Sequence, residues 1–149
     1  MARAELAVPF TPKKLLVTYD PAGGLCARVV PEMVKMLEDR AFVVEVQPIA
    51  AGELSVEDYH GVVLGTPVGL RGGGASEPAL GWVGRAQGIE EKKVAVFSAF
   101  WLREGGAAAQ LRRKVEETGA EVVVDYGYWL VRPADGKQVL PAECMVRIR

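Results

Sequence analysis

The sequence predicts an α/β domain built on a doubly wound, five-stranded parallel sheet, and three observations carry that prediction. Five short apolar runs recur along the chain, in Lys14–Tyr19, Phe42–Ile49, Gly61–Gly65, Lys93–Ser98 and Glu121–Tyr126. Runs such as LLV and GVVLG do not alternate with polar residues, as expected of strands covered on both faces. Amphipathic helical patterns separate most of the runs, which is the signature of β-α-β units. Glycine-dense turns follow the first, third and fourth runs, at residues 20–26, 65–76 and 98–106.

Residues 1–13 read as a lead-in arm, with Pro9 and Pro12 opposing regular structure, and residues 14–149 as one domain. After the first strand, Cys26, Val30, Met33, Val34 and Leu37 recur at helical spacing, so a helix lies within residues 25–40. A helix begun at Leu25 carries Pro31 in its interior, at a cost of about 3 kcal/mol and with a kink. A helix begun at Pro31 is unstrained but leaves a turn of about ten residues; the sequence leaves both open. Ser55-Val56-Glu57-Asp58 resembles a short capped helical turn. The next helix starts near Pro78, after Ser76 or Glu77, and turns Leu80, Trp82, Val83 and Ala86 toward the core. Gly105-Gly106 leads into a helix with Ala107, Ala108, Leu111 and Val115 inward, stopped by Gly119. The tail, about residues 127–149, is less regular. Asp135-Gly136 favours a tight hairpin turn, and PAECMVRIR reads equally as a helix stub or an edge strand.

The chain has 149 residues, half of them apolar, with 18 basic and 19 acidic side chains and a net charge of −1. Such a chain suits one soluble domain. It carries no basic stripe of the kind nucleic-acid binders show. Its apolar runs are too short to span a bilayer, and no secretory signal core is apparent at the start, so a cytoplasmic protein is expected. Two cysteines, Cys26 and Cys144, are too few for a disulfide scaffold, and no spacing of His, Cys, Asp or Glu suggests a metal site.

Open parallel sheets bind ligands at the carboxyl ends of their strands, where the winding reverses. The three glycine-rich loops gather there, and glycine lets main-chain N–H groups approach an anion. The segments LLVTYDPAGGLCA, YHGVVLGTPVGLRGG and KKVAVFSAFWLREGGAAAQLRRKVEETGAEVV resemble, in order and spacing, the phosphate loop and the two flavin-flanking loops of the flavodoxin family. The resemblance covers about residues 14–126. It implies strand order 2-1-3-4-5 and binding of flavin mononucleotide (FMN). FMN phosphate would then sit over Ala22, Gly23, Gly24, Leu25 and Cys26. The isoalloxazine would lie between Thr66, Pro67, Val68 and Gly69 on one side and Ala99, Phe100 and Trp101 on the other, with Phe100 or Trp101 stacked on the ring.

The chain departs from the family where three hydroxyl side chains usually meet the phosphate; Pro21, Gly23 and Cys26 stand there. A hydrogen bond to a charged group contributes roughly 1.5–3 kcal/mol, so their loss weakens binding by ~4 kcal/mol or more, about a thousandfold. Restoring a hydroxyl, with serine at Gly23 or threonine at Cys26, is expected to tighten it. Asp20 repels phosphate if it faces the cradle, although capping the turn through nearby N–H groups is its ordinary role. Gly69 and Leu70 stand where the family often has an aromatic residue.

Other readings of the same residues are weaker. Cys26 at a helix start has a nucleophile's position, but the Arg that related phosphatases carry six residues on is Glu32 here, so Cys26 reads as core. A phospho-acceptor reading of Asp20 fails, because Gly65-Thr66 and Asp125-Tyr126 replace the Asp and Lys it needs. His60 precedes the third strand, opposite the ligand end, and reads as a surface residue. Arg71-Gly72-Gly73-Gly74 reads as a surface loop, or as a lid whose Arg meets an anion. Trp82 reads as core, and Tyr126, Tyr128 and Trp129 as an aromatic patch that could join subunits in a homodimer.

Two functions are therefore expected. In the first, a weak FMN binder passes electrons or hydride to a small quinone-like acceptor or to a redox partner protein, with no catalytic side chain of its own. In the second, the domain keeps the fold, binds no flavin, and serves as a scaffold or interaction subunit.

Overall fold

The structure, a computed structural model, describes residues 13–49, 54–68, 74–100, 104–130 and 145–147. Five parallel strands form the sheet: β1 (Lys14–Tyr19), β2 (Val43–Pro48), β4 (Gly61–Pro67), β6 (Lys93–Phe100) and β7 (Glu121–Trp129). Their spatial order is β2-β1-β4-β6-β7, which is 2-1-3-4-5 when the parallel strands alone are counted. A short antiparallel strand, β8 (Met145–Arg147), pairs with the outer edge of β7, with Tyr126 opposite Arg147 and Tyr128 opposite Met145. Of the two readings of the C-terminal stretch, the edge strand is thus the one observed. The Asp135-Gly136 turn lies outside the described residues.

The helices α1 (Leu25–Glu38), α2 (Glu77–Arg85) and α3 (Ala107–Glu116) divide unevenly between the faces. On one face α2 and α3 pack Trp82, Val83, Leu111 and Val115 against Leu16, Val62, Leu64, Val94 and Val96. On the other, α1 packs Cys26, Val29, Val30 and Met33 against Val17, Val63, Phe97, Ala99 and Tyr128. Alternation along each strand produces this split: Leu16 faces one layer and Val17 the other. The inward residues expected of α3 are all buried, and Trp82 is core, at 2% exposure.

Helix α1 begins at Leu25 and contains Pro31. Pro31 removes the hydrogen bond that would reach the carbonyl of Ala27, but both residues lie on the exposed face. Water can satisfy that carbonyl, so the penalty stays local.

Two expectations need correction. Ser55 opens a single turn, in which the Tyr59 N–H donates to the Val56 carbonyl at 3.1 Å, but not a helix. Leu54–Ser55 form a two-residue strand, β3, parallel to β5 (Ala86–Gln87), and the Ser55 hydroxyl accepts from the Glu57 N–H at 3.3 Å. A pairing with residues thirty positions away carries no local signal. Tyr128 is not part of an exposed patch either. It is 4% exposed and meets Phe97 edge-on, with ring centroids 5.7 Å apart.

Burial, with the nearby Tyr126 adding to it, pushes the Tyr128 phenol from its ordinary value of 10 up to about 12. The folded state thus holds the proton more tightly than the unfolded chain. The resulting stability is fully present below pH 10 and is lost as the pH rises through 12. Tyr128→Phe should flatten the fall of the urea midpoint over that window; an unchanged slope would mean Tyr128 is not its source.

Candidate functional site

The carboxyl ends of β1, β4 and β6 lie side by side, as the register pairs Tyr19 with Gly65 and Pro67 with Ala99. After β1 the chain makes one 3-10 turn over Ala22–Gly24 and enters α1. Gly23 (φ 71°, ψ −3°) and Gly24 (φ 70°, ψ 6°) are both left-handed. Such a conformation costs other residues roughly 1–2 kcal/mol, so the pair of glycines is what allows the turn. Open space surrounds both: a Cβ on either would meet nothing within 4 Å.

The turn uses some of its own donors. The Ala22 N–H donates to Asp20 Oδ1 at 3.0 Å, and the Gly24 N–H to the Pro21 carbonyl at 3.1 Å. The first-turn amides of α1, at Leu25, Cys26 and Ala27, have no intrahelical acceptor. Asp20 is 4% exposed, so a buried carboxylate stands beside these donors while capping the turn.

Cys26 contributes an amide to this end of the helix but not a side chain. Its thiol is fully buried in the α1 core cluster. Burial, reinforced by the charge of Asp20, pushes its ionisation far above the usual thiol range. The thiol therefore stays protonated and cannot serve as a nucleophile. The same geometry overturns the expected effect of restoring hydroxyls. Threonine at Cys26 would place its hydroxyl among Val17, Val29 and Val30, and serine at Gly23 would meet a left-handed backbone.

The second and third loops hold each other. Thr66 is fully buried; its Oγ1 accepts from the Ser76 N–H at 2.8 Å and donates to the Pro67 carbonyl at 3.0 Å. The Val68 N–H donates to the Ala99 carbonyl at 3.0 Å. Val68 and Phe100 pack together with Ala107 at the start of α3. Thr66, Val68, Ala99 and Phe100 are all buried, with Ala99 turned to the α1 layer and Val68 and Phe100 to the start of α3, while Gly69 and Trp101 lie outside the described residues.

One site feature was absent from the sequence reading. Helix α3 also follows two left-handed glycines, Gly105 (φ 67°) and Gly106 (φ 74°). There the Glu104 carboxylate turns back onto the helix end. It accepts from the Gly106 N–H at 2.7 Å, the Ala108 N–H at 2.6 Å and the Ser98 hydroxyl at 2.8 Å. The fold thus contains, in its own chain, an anion seated on a Gly-Gly helix entry. An acidic residue next to a helix start is the only signal the sequence offers, and it does not reveal the Ser98 contact. His60, by contrast, sits exposed at the opposite end of the sheet, where its Nδ1 accepts from the Lys14 N–H at 3.0 Å. Among the described residues no group of His, Cys, Asp or Glu could hold a metal ion, and no helix is long and apolar enough to cross a membrane.

The sheet order and the two-sided helix layers define a flavodoxin-like fold, and solved structures agree. The chain is similar to flavodoxin 2 from Bacillus cereus, at 21% identity and a TM-score of 0.63, over 84% of this chain and 91% of that one. It is similar to Megasphaera elsdenii flavodoxin, at 17% identity and a TM-score of 0.62, over 76% and 84%. A Fusobacterium nucleatum flavodoxin bound to flavin mononucleotide matches at 17% identity and a TM-score of 0.60, over 76% and 70%. No family model and no curated protein matches the sequence.

Proposed function

We propose that this chain binds FMN weakly, through main-chain donors, and passes electrons or hydride to a small quinone-like acceptor or to a redox partner protein. The observation that carries this reading is the open pair of left-handed glycines, Gly23 and Gly24, ahead of α1 amides that have no intrahelical acceptor. A helix end of this kind attracts phosphate without side-chain help, and the Glu104 seat on α3 is an internal example. The amides of Gly23, Leu25 and Cys26 would hold the phosphate, with Ala22 and Gly24 shaping the turn. By the family resemblance, the ring would lie between the loop that carries Thr66, Pro67, Val68 and Gly69 and the loop that carries Ala99, Phe100 and Trp101. Bound flavin supplies the redox chemistry; the chain supplies seat and local field.

Asp20 opposes phosphate binding, and this gives the test. Asp20→Asn keeps an oxygen for the Ala22 N–H and removes the charge. It should tighten FMN by about 1 kcal/mol, roughly fivefold, because a like charge no longer faces the phosphate. Quenching of FMN fluorescence on titration measures both proteins. A flat titration at high micromolar FMN, in both, would remove the flavin reading.

The buried Asp20 carboxylate beside a cradle without hydroxyl side chains favours a second reading, a flavin-free interaction subunit of the same fold. That reading expects the flat titration.

A further inference from the structure

The two edges of the sheet end differently. At β7 the antiparallel strand β8 supplies a partner, whereas at the other edge β2 pairs only with β1 among the described residues. The Val43 N–H donates to the Lys13 carbonyl at 2.9 Å and the Ile49 N–H to the Tyr19 carbonyl at 2.8 Å. Odd-numbered residues of β2 therefore bond to β1, and the alternation of a parallel ladder turns the main-chain groups of Val44, Val46 and Pro48 outward. Pro48 has no N–H to leave unpaired there, as suits an edge strand. The edge is also apolar where it meets water. Val43 is 48% exposed and Val46 39%, two of the four exposed large apolar side chains among the described residues. Open N–H and C=O groups beside exposed valines are a template for a further strand.

We propose that this strand is β2 of a second copy, paired antiparallel about a twofold axis through Val46. The run Val43-Val44-Glu45-Val46-Gln47-Pro48-Ile49 reads nearly alike in both directions from its centre. Across the axis Val46 meets its counterpart, Glu45 meets Gln47, Val44 meets Pro48 and Val43 meets Ile49. The Val46 N–H then donates to the opposite Val46 carbonyl and the Val44 N–H to the opposite Pro48 carbonyl, each in both directions. Every outward N–H of the two strands finds an acceptor, and Pro48 is asked only to accept. The side chains agree with this register. Val44, Val46 and Pro48 of both copies join in one apolar row on the α1 face, where Val44 already packs. On the other face each Glu45 carboxylate, held by Lys14 at 3.2 Å, meets a neutral amide. A centre at Glu45 makes as many hydrogen bonds but sets the two Glu45 carboxylates opposite each other, which is destabilising. A centre at Val44 runs off the start of β2, because the Phe42 N–H is already given to the Leu37 carbonyl at 3.2 Å. The homodimer expected from the aromatic residues of β7 thus forms at the opposite edge. This inference stands apart from the flavin reading, since it uses none of the glycine loops.

Sedimentation equilibrium of the full chain measures the association. An edge this short is smaller than a standard interface, so the mass should climb from monomer to dimer between about 5 and 500 µM. Val46→Lys sets two ammonium groups against each other at the axis and should keep the monomer mass throughout. Its urea midpoint should match that of the parent, because Val46 is exposed. Mild oxidation in a Cys144→Ser background reads the register. Val46→Cys should give a disulfide-linked dimer, since the Cα atoms of a hydrogen-bonded pair lie about 5.5 Å apart. Glu45→Cys, displaced from the axis, should cross-link roughly tenfold more slowly. A parent that stays monomeric at every concentration, or a dimer that survives Val46→Lys, overturns the proposal, and so does faster cross-linking at position 45 than at 46.

Discussion

Gly65→Ala should lower the stability of this protein by about 3 kcal/mol, at the upper end of what one added methyl group costs in a packed core. Gly65 lies in β4 directly beside Phe97 of β6. A Cβ at Gly65 would overlap the tip of the Phe97 ring, at Cζ, Cε1 and Cε2. The ring has little room to retreat: it is 1% exposed and its other side meets Tyr128 edge-on. Phe97 must leave its rotamer or the strands must part, and either change spreads to Tyr128 and to the end of β4 that carries Thr66. For a chain of this length the melting temperature should fall by about 6–12 °C. Phe97→Leu in the Gly65→Ala background should recover about 2 kcal/mol of that loss, since the two changes share one space. Additive effects of the two substitutions would show that the ring is not what the methyl group meets.

This contact also shows why the fold was more legible than its details. Unbroken apolar runs such as GVVLG and KVAVF reveal buried parallel strands through composition alone, and period 3.6 gives the inward faces of α2 and α3. The ends of the strands are a different matter. The pair Thr66-Pro67 looks like the start of a loop, yet β4 continues through both. It can do so because the buried Thr66 hydroxyl is satisfied by the Ser76 N–H, ten residues on. The start of α1 was undecidable because the cost of Pro31 falls where water can satisfy the orphaned Ala27 carbonyl, and exposure of Ala27 is a tertiary fact. The extension of β7 through Trp129 and the pairing of β8 likewise depend on partners rather than on local propensity.

In the candidate site, the glycines and their place at the strand ends were legible, because a left-handed turn before a helix demands glycine. The direction of the Cys26 side chain was implicit in its helical phase, shared with Val30 and Met33, although its place next to the phosphate loop suggested otherwise. Asp20 followed its ordinary turn-capping role. What no pattern could show was Glu104, whose three partners come from a strand, a turn and a helix.

Glu104→Ala is accordingly the second substitution with a large expected effect, a loss of about 3 kcal/mol. Three hydrogen bonds to one carboxylate disappear together. The Gly106 N–H is exposed and can turn to water, so its loss is small. Ala108 and Ser98 are both fully buried. A buried donor left without a partner costs about 1–3 kcal/mol, and removal of a helix cap costs about 1 kcal/mol. Glu104→Gln retains one acceptor oxygen but cannot serve all three donors, and should lose about half as much. Urea unfolding measures both, with a lower midpoint and an unchanged slope as the expected signature. The double variant Ser98→Ala with Glu104→Ala separates the contributions: once the Ser98 hydroxyl is gone, no orphan remains on β6, and the loss should shrink by about 1 kcal/mol. If Glu104→Ala alone shifts the midpoint by less than the cap term, the carboxylate does not hold the strand end and helix α3 together. The seat on α3 would then no longer support an anion on the matching glycines of α1.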